Sequence, residues 1–439
     1  MADRIFRLDR REWLAGIGAI VAGSALPAVA AVRGRRTLTL RAQASLAALR
    51  PRQPETPVWS LRATSTAPAL RFTWGDDLDI RFENELPVPT LLNWHGLGGV
   101  PAVEALTAHS PVAAGARENF VIPLRHAGTL LCDISLLGDG LVRPTRSLPV
   151  IAGESEPVAV DRGDEVFLVE DWRLRPDGTA IAPGTDPTGT TPVYTVNGQT
   201  ALDIVARPHE RLRFRFINGC QRAVIGLKIE GCEVRVMALD SQPSEPFPAR
   251  NGAVVLAPGG RVDAFIDAST AGSTLPILLH DGHEARPVGR LIVTNGPPAR
   301  DTALRMAPPL PSNGLPERLE LRNALRFEIP LGGMPAGWMK PANFATASPA
   351  FRARTGRTVV LALTNSGSMP AVFHLHGHHF RLLDRLDDGW KPYWLDTLAV
   401  EAGQTERIAF AAQYAGHWLI ETMATHWAAP RLVRWYSVE

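Results

Sequence analysis

Residues 356–365 read Gly-Arg-Thr-Val-Val-Leu-Ala-Leu-Thr-Asn, and this stretch decides the fold because its pattern occurs three times along the chain. Residues 75–84 (Gly-Asp-Asp-Leu-Asp-Ile-Arg-Phe-Glu-Asn) and residues 209–218 (His-Glu-Arg-Leu-Arg-Phe-Arg-Phe-Ile-Asn) have the same length and the same final Asn. The alternation of polar and apolar residues predicts a strand with one buried face that ends at the Asn. The recurrence of this strand pattern along the chain indicates one structural unit repeated three times.

A pair of glycines also recurs in each repeat. In every pair the two glycines are 13 residues apart, and an Ala precedes the second. The pairs are Gly115 and Gly128, Gly259 and Gly272, and Gly403 and Gly416. Strand-like runs such as residues 119–124 fill the intervals, and another apolar run follows each second Gly. Short strands separated by turn residues at this spacing predict an all-β protein made of antiparallel sandwiches.

Three units of about 120 to 140 residues account for the chain after its first residues. We predict unit 1 at residues 37–158, unit 2 at residues 159–300 and unit 3 at residues 316–439. The Pro-rich residues 295–316 are expected to link units 2 and 3. Three scattered cysteines give no disulfide framework, although Cys220 could pair with Cys232.

Residues 1–31 are predicted to be a twin-arginine signal peptide. Arg10 and Arg11 precede an apolar run at residues 15–26, and residues 28–30 (Ala-Val-Ala) are typical of a cleavage site. An uncleaved membrane anchor is the alternative, but the run is short for a transmembrane span. We expect a periplasmic or other extracytoplasmic protein with no integral membrane span. A net charge of +2 gives no basic excess that would indicate nucleic acid binding.

Residues 373–380 (Phe-His-Leu-His-Gly-His-His-Phe) hold four of the twelve histidines. Residues two apart in a strand share a face, so His374, His376 and His378 are predicted to lie in a row. Such a row suits a metal ion. The alternative is a polar strand edge, or core histidines satisfied by hydrogen bonds.

The repeat allows equivalent positions to be counted along each unit, and we call the positions found in this way the ruler positions. Two positions lie nine and eleven residues after the closing Asn, and two lie five and seven residues after the second Gly. In units 1 and 3 these positions are polar or sulfur-bearing, and in unit 2 they are apolar. The eight positions of units 1 and 3 are Asn93, His95, Asp133, Ser135, His374, His376, Glu421 and Met423. We infer one site between units 1 and 3, with ordinary interface polar residues as the alternative.

With these motifs the sequence resembles the multicopper oxidases that have three cupredoxin domains, over essentially the whole chain after the signal. Residues 93–96 (Asn-Trp-His-Gly) resemble the family's His-Trp-His-Gly, and residues 374–378 (His-Leu-His-Gly-His) match its third motif. Residues 396–397 and 415–418 resemble the approach to its last motif. The resemblance implies three tandem cupredoxin-like domains, each a Greek-key β-sandwich or barrel.

The resemblance does not carry the family's reaction with it. The family holds a trinuclear copper cluster with eight histidines at the eight positions above, where this chain keeps His95, His374 and His376. Its mononuclear copper uses His, Cys, His and often Met, and a gapless alignment puts other residues there: Ala371, Thr422, Trp427 and Leu432. His426 is one residue from the required place and would face the other side of a strand. Without a Cys thiolate there is no blue-copper centre, so we predict no laccase activity.

Two functions follow from this pattern. The first is a structural or binding factor that is no laccase, similar to a twin-arginine-exported, copper-free branch of the family that acts in bacterial cell division. The second is an oxidoreductase that uses copper or another metal at a reduced site between units 1 and 3. The candidate ligands of that site are His95, His374, His376, Asp133, Glu421 and Asn93. A metal store at residues 374–379 is a third interpretation.

No residue is assigned a catalytic role from the sequence. The expected cofactor is copper in a residual mononuclear site, or none. The expected partner is an unidentified periplasmic protein or a small-molecule reductant.

Overall fold

Strands make up close to half of the structure, a computed structural model that describes residues 34–63, 67–384 and 389–439. Within these residues the helices are short 3₁₀ turns at Pro101–Val103, Arg250–Gly252 and Pro341–Thr346. The strands form six sheets that follow one another along the chain in three pairs. The all-β prediction is confirmed. The predicted signal peptide lies outside the described residues.

The first pair of sheets belongs to unit 1. Its strands are β1 (Arg35–Ala47), β2 (Thr56–Ala63), β3 (Leu70–Thr73), β4 (Asp77–Asn84), β5 (Asn93–His95), β6 (Arg117–Pro123), β7 (Gly128–Asp133), β8 (Thr145–Arg146) and β9 (Leu148–Gly153). One sheet has the order β6-β4-β1-β2-β8 and the other the order β3-β9-β7-β5. Buried apolar side chains from both sheets, such as Leu40, Ile80 and Cys132, fill the space between them.

The second pair belongs to unit 2. Its strands are β10 (Glu165–Leu174), β11 (Thr191–Val196), β12 (Leu202–Ala206), β13 (Glu210–Asn218), β14 (Ile225–Ile229), β15 (Arg235–Leu239), β16 (Gln242–Pro248), β17 (Ala253–Leu256), β18 (Arg261–Ala268), β19 (Thr274–His280) and β20 (Ala285–Val293). The sheet orders are β11-β10-β13-β18-β15-β16 and β12-β20-β19-β14-β17. Phe214, Leu227 and Ile277 are central to its core.

The third pair belongs to unit 3. Its strands are β21 (Leu325–Leu331), β22 (Pro349–Ala353), β23 (Thr358–Asn365), β24 (Ala371–Leu375), β25 (Arg381–Leu382), β26 (Thr397–Val400), β27 (Thr405–Ala411), β28 (Gly416–Ala424) and β29 (Leu432–Val438). The sheet orders are β21-β23-β27-β25 and β22-β29-β28-β24-β26. Its core includes Phe373, Trp418 and Tyr436.

The repeated sequence pattern forms the same strand in each unit. Strands β4, β13 and β23 each pair in parallel with the first strand of their unit, which is β1, β10 or β21. On the other side they pair antiparallel with β6, β18 and β27. The sheets therefore contain parallel as well as antiparallel pairs, and the expectation of antiparallel pairing throughout was wrong.

The Asn that closes each repeated strand has a structural function. Asn84, Asn218 and Asn365 are all buried. Each side-chain oxygen accepts a hydrogen bond from the backbone N–H two residues later, and each side-chain nitrogen donates to carbonyl oxygens of two neighbouring segments. An Asn side chain can replace a backbone group in this way, which ends the strand and fixes the turn after it.

Residues 294–324 contain no helix or strand and lie along the protein rather than away from it. Ala307 and Leu310 pack against Met237 and Phe265 of unit 2. The side chain of Asn313 donates to the carbonyl oxygens of Ala127 and Ser241. The predicted unit boundaries and the predicted linker stay predictions.

Cys132, Cys220 and Cys232 are all free thiols, so the pairing considered for Cys220 and Cys232 is not formed. No helix within residues 34–63, 67–384 and 389–439 has the length and apolar character needed to span a bilayer.

A buried arginine joins the three units. Arg261 of β18 in unit 2 is fully buried. Its guanidinium donates to both carboxylate oxygens of Asp396 in unit 3, at 3.0 and 2.6 Å, and to the carbonyl oxygen of Thr129 in unit 1, at 3.1 Å. A buried guanidinium needs partners of this kind, so the three units depend on one another at this point.

The histidine stretch does not form one continuous strand. Strand β24 ends at Leu375, and Gly377 has a φ of +73°, which turns the chain. His374 and His376 stay at the boundary with unit 1, whereas His378 enters the core of unit 3, where its Nδ1 lies 2.8 Å from the Tyr436 hydroxyl. The predicted row of three histidines on one face is therefore wrong.

We predict that Gly377→Ala is more destabilising than an ordinary Gly→Ala change. A Cβ at Gly377 would lie 2.1 Å from Cε3 of Trp418, which is fully buried, and the backbone has a positive φ. Left-handed strain and overpacking each cost about 1–3 kcal/mol. Urea denaturation should show a loss at least about 1 kcal/mol larger than that of Gly356→Ala, whose φ is +83° but whose Cβ would meet no atom within 4 Å. Equal losses would contradict this prediction.

Candidate functional site between units 1 and 3

Four strands bring the predicted site residues together. In unit 1, β5 and β7 pair so that Asn93 lies opposite Asp133. In unit 3, β24 and β28 pair so that His374 lies opposite Glu421. The corresponding positions of unit 2 are buried apolar residues of its own core: Leu227, Ile229, Ile277 and Leu279.

A hydrogen bond joins the two halves of the site directly. The side-chain amide of Asn93 in unit 1 donates to Oε1 of Glu421 in unit 3, at 2.9 Å. Both residues are almost completely buried. Seven of the eight ruler positions belong to one polar cluster or border it. The eighth, Met423, is buried beside Val372 on the neighbouring strand.

His376 is held between two carboxylates. Its Nδ1 lies 2.7 Å from Oε1 of Glu104 in unit 1, and its Nε2 lies 2.8 Å from Oε1 of Glu421 in unit 3. Burial alone would lower the pKa of His376, but the two carboxylates outweigh burial and raise its pKa to about 10. The ring is therefore an imidazolium at neutral pH, and both of its nitrogens carry a proton.

Arg431 supplies a second buried cation. One guanidinium nitrogen donates to Oε2 of Glu421 at 2.7 Å, and another donates to the Ser135 hydroxyl at 3.2 Å. Burial opposes the ionisation of Glu421, but Arg431 and His376 hold the pKa of this carboxyl well below its usual range. Glu421 is therefore an anion with a cation on each of its two oxygens.

Asp133 and His95 form a smaller pair within unit 1. The distance between Asp133 Oδ2 and His95 Nε2 is 3.0 Å, and Asp133 Oδ1 accepts from the backbone N–H and the hydroxyl of Ser135. Burial would raise the pKa of Asp133, but the hydrogen bond from His95 and the positive charge of Arg431 lower it. All three side chains are buried.

His374 is neutral, in contrast to His376. Its Nδ1 lies 2.8 Å from the Thr397 hydroxyl, which in turn donates to Asp396. Burial and the neighbouring rings of His95 and His376 lower the pKa of His374 well below its usual value. Because Nδ1 carries the proton, Nε2 has a lone pair, and this buried nitrogen has no hydrogen-bond partner.

Three more buried atoms of the cluster have no hydrogen-bond partner. These are Nδ1 of His95, Oδ1 of Asn93 and Nε of Arg431. Gly259 of unit 2 covers His95 Nδ1 so closely that a Cβ there would lie 2.7 Å from that nitrogen. His374 Nε2 and His95 Nδ1 are thus the two unpartnered imidazole nitrogens of the cluster, and both are buried.

Among the described residues, no group of three or more His, Cys, Asp and Glu side chains is placed so that it could hold a metal ion. The candidate ligands Asn93, His95, Asp133, His374, His376 and Glu421 are brought together, but most of their polar atoms bind one another. Metal binding at this set stays a prediction.

The four positions aligned with a mononuclear copper site are buried in apolar surroundings. Ala371 and Leu432 belong to the core of unit 3. The Thr422 hydroxyl donates to the Val372 carbonyl oxygen, and the Trp427 indole N–H donates to the Ala182 carbonyl oxygen. His426 is exposed and lies beyond the end of β28.

Two members of the cluster were missed from the sequence, Glu104 and Arg431. Glu104 follows the 3₁₀ turn at Pro101–Val103 and contacts His376, from which it is separated by more than 270 residues in the sequence. Arg431 immediately precedes Leu432, a position that the alignment treated only as an absent ligand. Neither residue belongs to the repeat, so counting equivalent positions along the repeated strands could not identify them.

Family models and related proteins agree on one identification. Residues 44–132 and residues 318–439 each match a model described as multicopper oxidase. A multicopper oxidase of Mycobacterium tuberculosis, MmcO, is 24% identical over 422 residues, which cover 81% of this chain and 78% of that protein. Laccase-3 of Thanatephorus cucumeris is 24% identical over 226 residues, or 46% of this chain and 39% of that protein.

Solved structures show the same fold. A multicopper oxidase from Pseudomonas thermotolerans superposes with a TM-score of 0.77 at 24% identity, covering 93% of this chain and all of that one. Lac15 from a marine microbial metagenome gives a TM-score of 0.73 at 23% identity, covering 92% of this chain and all of that one. At these identities the structural likeness establishes the fold and leaves the reaction open.

We predict that His376→Gln lowers the free energy of unfolding at pH 6 by about 3 kcal/mol, because two buried carboxylates lose their shared cation. The folded-state pKa of about 10 lies above the usual 6.5, so the stabilisation by the charged ring is fully present below pH 6.5 and is lost as the pH rises towards 10. The difference from wild type should narrow between pH 7 and pH 10 in urea denaturation.

The control for this measurement is His283→Gln, which changes an exposed histidine of unit 2. Its difference from wild type should be small and should not depend on pH in this window. A difference for His376→Gln that stays constant up to pH 10 would show that His376 is neutral in the folded protein.

We predict that Arg431→Met lowers the free energy of unfolding at pH 7 by about 3–5 kcal/mol, because Glu421 is left as a buried charge without its guanidinium partner. Adding Glu421→Gln to Arg431→Met should recover part of the loss, which a double-mutant cycle measures. Arg352→Met is the control, since its pair with Glu439 is exposed and should contribute less than about 1 kcal/mol. Equal losses for the two arginine variants would contradict the prediction.

Proposed function

The chain belongs to the multicopper oxidase family, and from this premise we propose that it is a non-laccase member that works as a structural or binding factor outside the cytoplasm. The observation that carries the proposal is the ion-pair network of Glu104, His376, Glu421 and Arg431. Two of its members, His376 and Glu421, stand at positions where the resemblance predicts copper-binding imidazoles in the family. The network places an opposite protein charge beside each of these buried charges.

The donor chemistry of the site favours this proposal. A histidine that ligates copper must offer a nitrogen lone pair, and protonation removes it. His376 is protonated on both nitrogens, and His95 uses Nε2 for Asp133 while Gly259 covers its Nδ1. A cluster of several copper ions does not fit this donor set, and we derive no oxygen-reducing step from it.

The positions aligned with the mononuclear copper support the same proposal. A blue-copper site needs a Cys thiolate with two imidazoles. Thr422 and Trp427 use their polar atoms for backbone carbonyl oxygens, and Ala371 and Leu432 have no donor atoms. These four positions therefore offer none of the ligands that would hold a mononuclear copper for accepting single electrons from a reductant.

A structural function agrees with how the network joins the units. Glu104, Asn93 and Ser135 come from unit 1, whereas His376, Glu421 and Arg431 come from unit 3. Buried charges that are fully paired fix the relative position of the units carrying them, even where their net energy is small. The protein would then present a fixed surface to an unidentified extracytoplasmic partner, with export depending on the twin-arginine sequence.

A metal-dependent oxidoreductase is the second candidate, and one observation favours it. The free lone pair on His374 Nε2 and the unpartnered Oδ1 of Asn93 are donor atoms that a protein does not usually leave buried and unbound. A single copper or other metal would bind His374 first. It would gain His95 or His376 only if these rings released Asp133 or Glu421.

We predict that the mature protein, purified after native export without added metal, contains less than one metal ion per chain and retains none after copper loading and dialysis. The paired network leaves the buried Nε2 of His374 as an imidazole nitrogen without a partner, and one nitrogen alone holds a transition metal weakly. Elemental analysis measures the content, and the melting temperature should not change with chelator. Retained metal that His374→Gln/His376→Gln removes and His280→Gln/His283→Gln does not would favour the oxidoreductase. Four coppers per chain would overturn the proposal.

A further inference from the structure

A cleft of about 750 Å³ lies between units 1 and 3, and it shares Arg431 with the buried network. Leu136, Leu137 and Leu141 contribute to one wall from unit 1, and Pro341 and Pro430 contribute to the other from unit 3. A cleft of this volume with mostly apolar walls is typical of a site for a small organic ligand. It is separate from the metal-ligand positions, since none of the eight ruler residues lines it.

The walls of the cleft offer few hydrogen-bond donors. Four of the lining residues are prolines, Pro89, Pro111, Pro341 and Pro430, and proline has no backbone N–H. Proline also fixes its own φ, so these parts of the wall lose little conformational entropy when a ligand binds. The charged side chains of the cleft are therefore the strongest partners that it offers to the polar group of a ligand.

Three charged side chains line the cleft, and two of them are already paired. Arg431 binds Glu421 and Ser135, and Asp139 accepts from the Arg222 guanidinium and from the backbone N–H of Arg431. Lys340 is exposed, and no hydrogen bond or ion pair of its ammonium group is found with any residue that the structure describes. Lys340 is thus the uncompensated charge of the lining.

We propose that this cleft binds an amphipathic monocarboxylate, with the carboxylate on Lys340 and an apolar chain along Leu137, Leu141 and Pro430. An ammonium group binds a carboxylate through a charge-assisted hydrogen bond, and the apolar walls gain by excluding water from the chain. Because the ligand would bind the folded chain and not the unfolded one, it would also stabilise the protein, by an amount that rises with the logarithm of the ligand concentration. The proposal does not depend on whether the buried network takes up metal.

The test uses the full mature protein and dodecanoate below its critical micelle concentration, with binding measured by isothermal titration calorimetry. Lys340→Gln should weaken binding about tenfold, because it removes the charged donor and leaves the apolar walls intact. Ala342→Trp, at an exposed residue of the lining, should abolish binding by filling the cleft. Dodecan-1-ol should bind at least about tenfold more weakly than dodecanoate.

Lys228→Gln is the matched control, because Lys228 is an exposed lysine of unit 2 that lines a different cleft. Its affinity for dodecanoate should equal that of wild type. Equal binding by Lys340→Gln and wild type, equal affinity for the alcohol and the acid, or no binding at all would each overturn the proposal. The metal-content measurement decides the proposed function separately, so failure of one does not imply failure of the other.

Discussion

The structure depends on a chain of buried charges that crosses from unit 1 to unit 3: Glu104 to His376, His376 to Glu421, and Glu421 to Arg431. Two carboxylates and two cations alternate, so each buried charge has an opposite charge beside it. Removing any one of them leaves a neighbour uncompensated in surroundings of low polarity. This alternation explains why the histidine and carboxylate side chains of the site bind one another and leave few atoms for an external ion.

The repeat made the fold predictable, because it rests on local physics. The alternating strands and the buried Asn84, Asn218 and Asn365 follow from side-chain periodicity and from turn chemistry, and both are visible in a short window of sequence. Parallel pairing of the repeated strands was not predictable in this way, since a strand's pattern does not identify its neighbour. The place of His378 was missed because the positive φ of Gly377 ends the alternation.

The site was predictable only where it follows the repeat. Counting along equivalent strands predicted that Asn93, Asp133, His374 and Glu421 share one interface, and the strand pairings of units 1 and 3 place them there. It could not find Glu104 and Arg431, which lie outside the strands of the repeat and meet the others only through tertiary packing. These two residues decide the electrostatics: they give His376 its second proton and Glu421 its second cation. A comparison of motifs thus predicts the position of such a site more readily than the charges of its side chains.

Arg261 has a consequence for how the protein unfolds. Its guanidinium reaches Asp396 in unit 3 and Thr129 in unit 1 from a strand of unit 2, and it is fully buried. If one unit unfolded alone, the others would keep a buried guanidinium or carboxylate without its partner, which is energetically unfavourable. The three sandwiches should therefore behave as a single cooperative unit. In calorimetry this corresponds to one heat-absorption peak whose van't Hoff enthalpy approaches the calorimetric value, rather than three separable transitions.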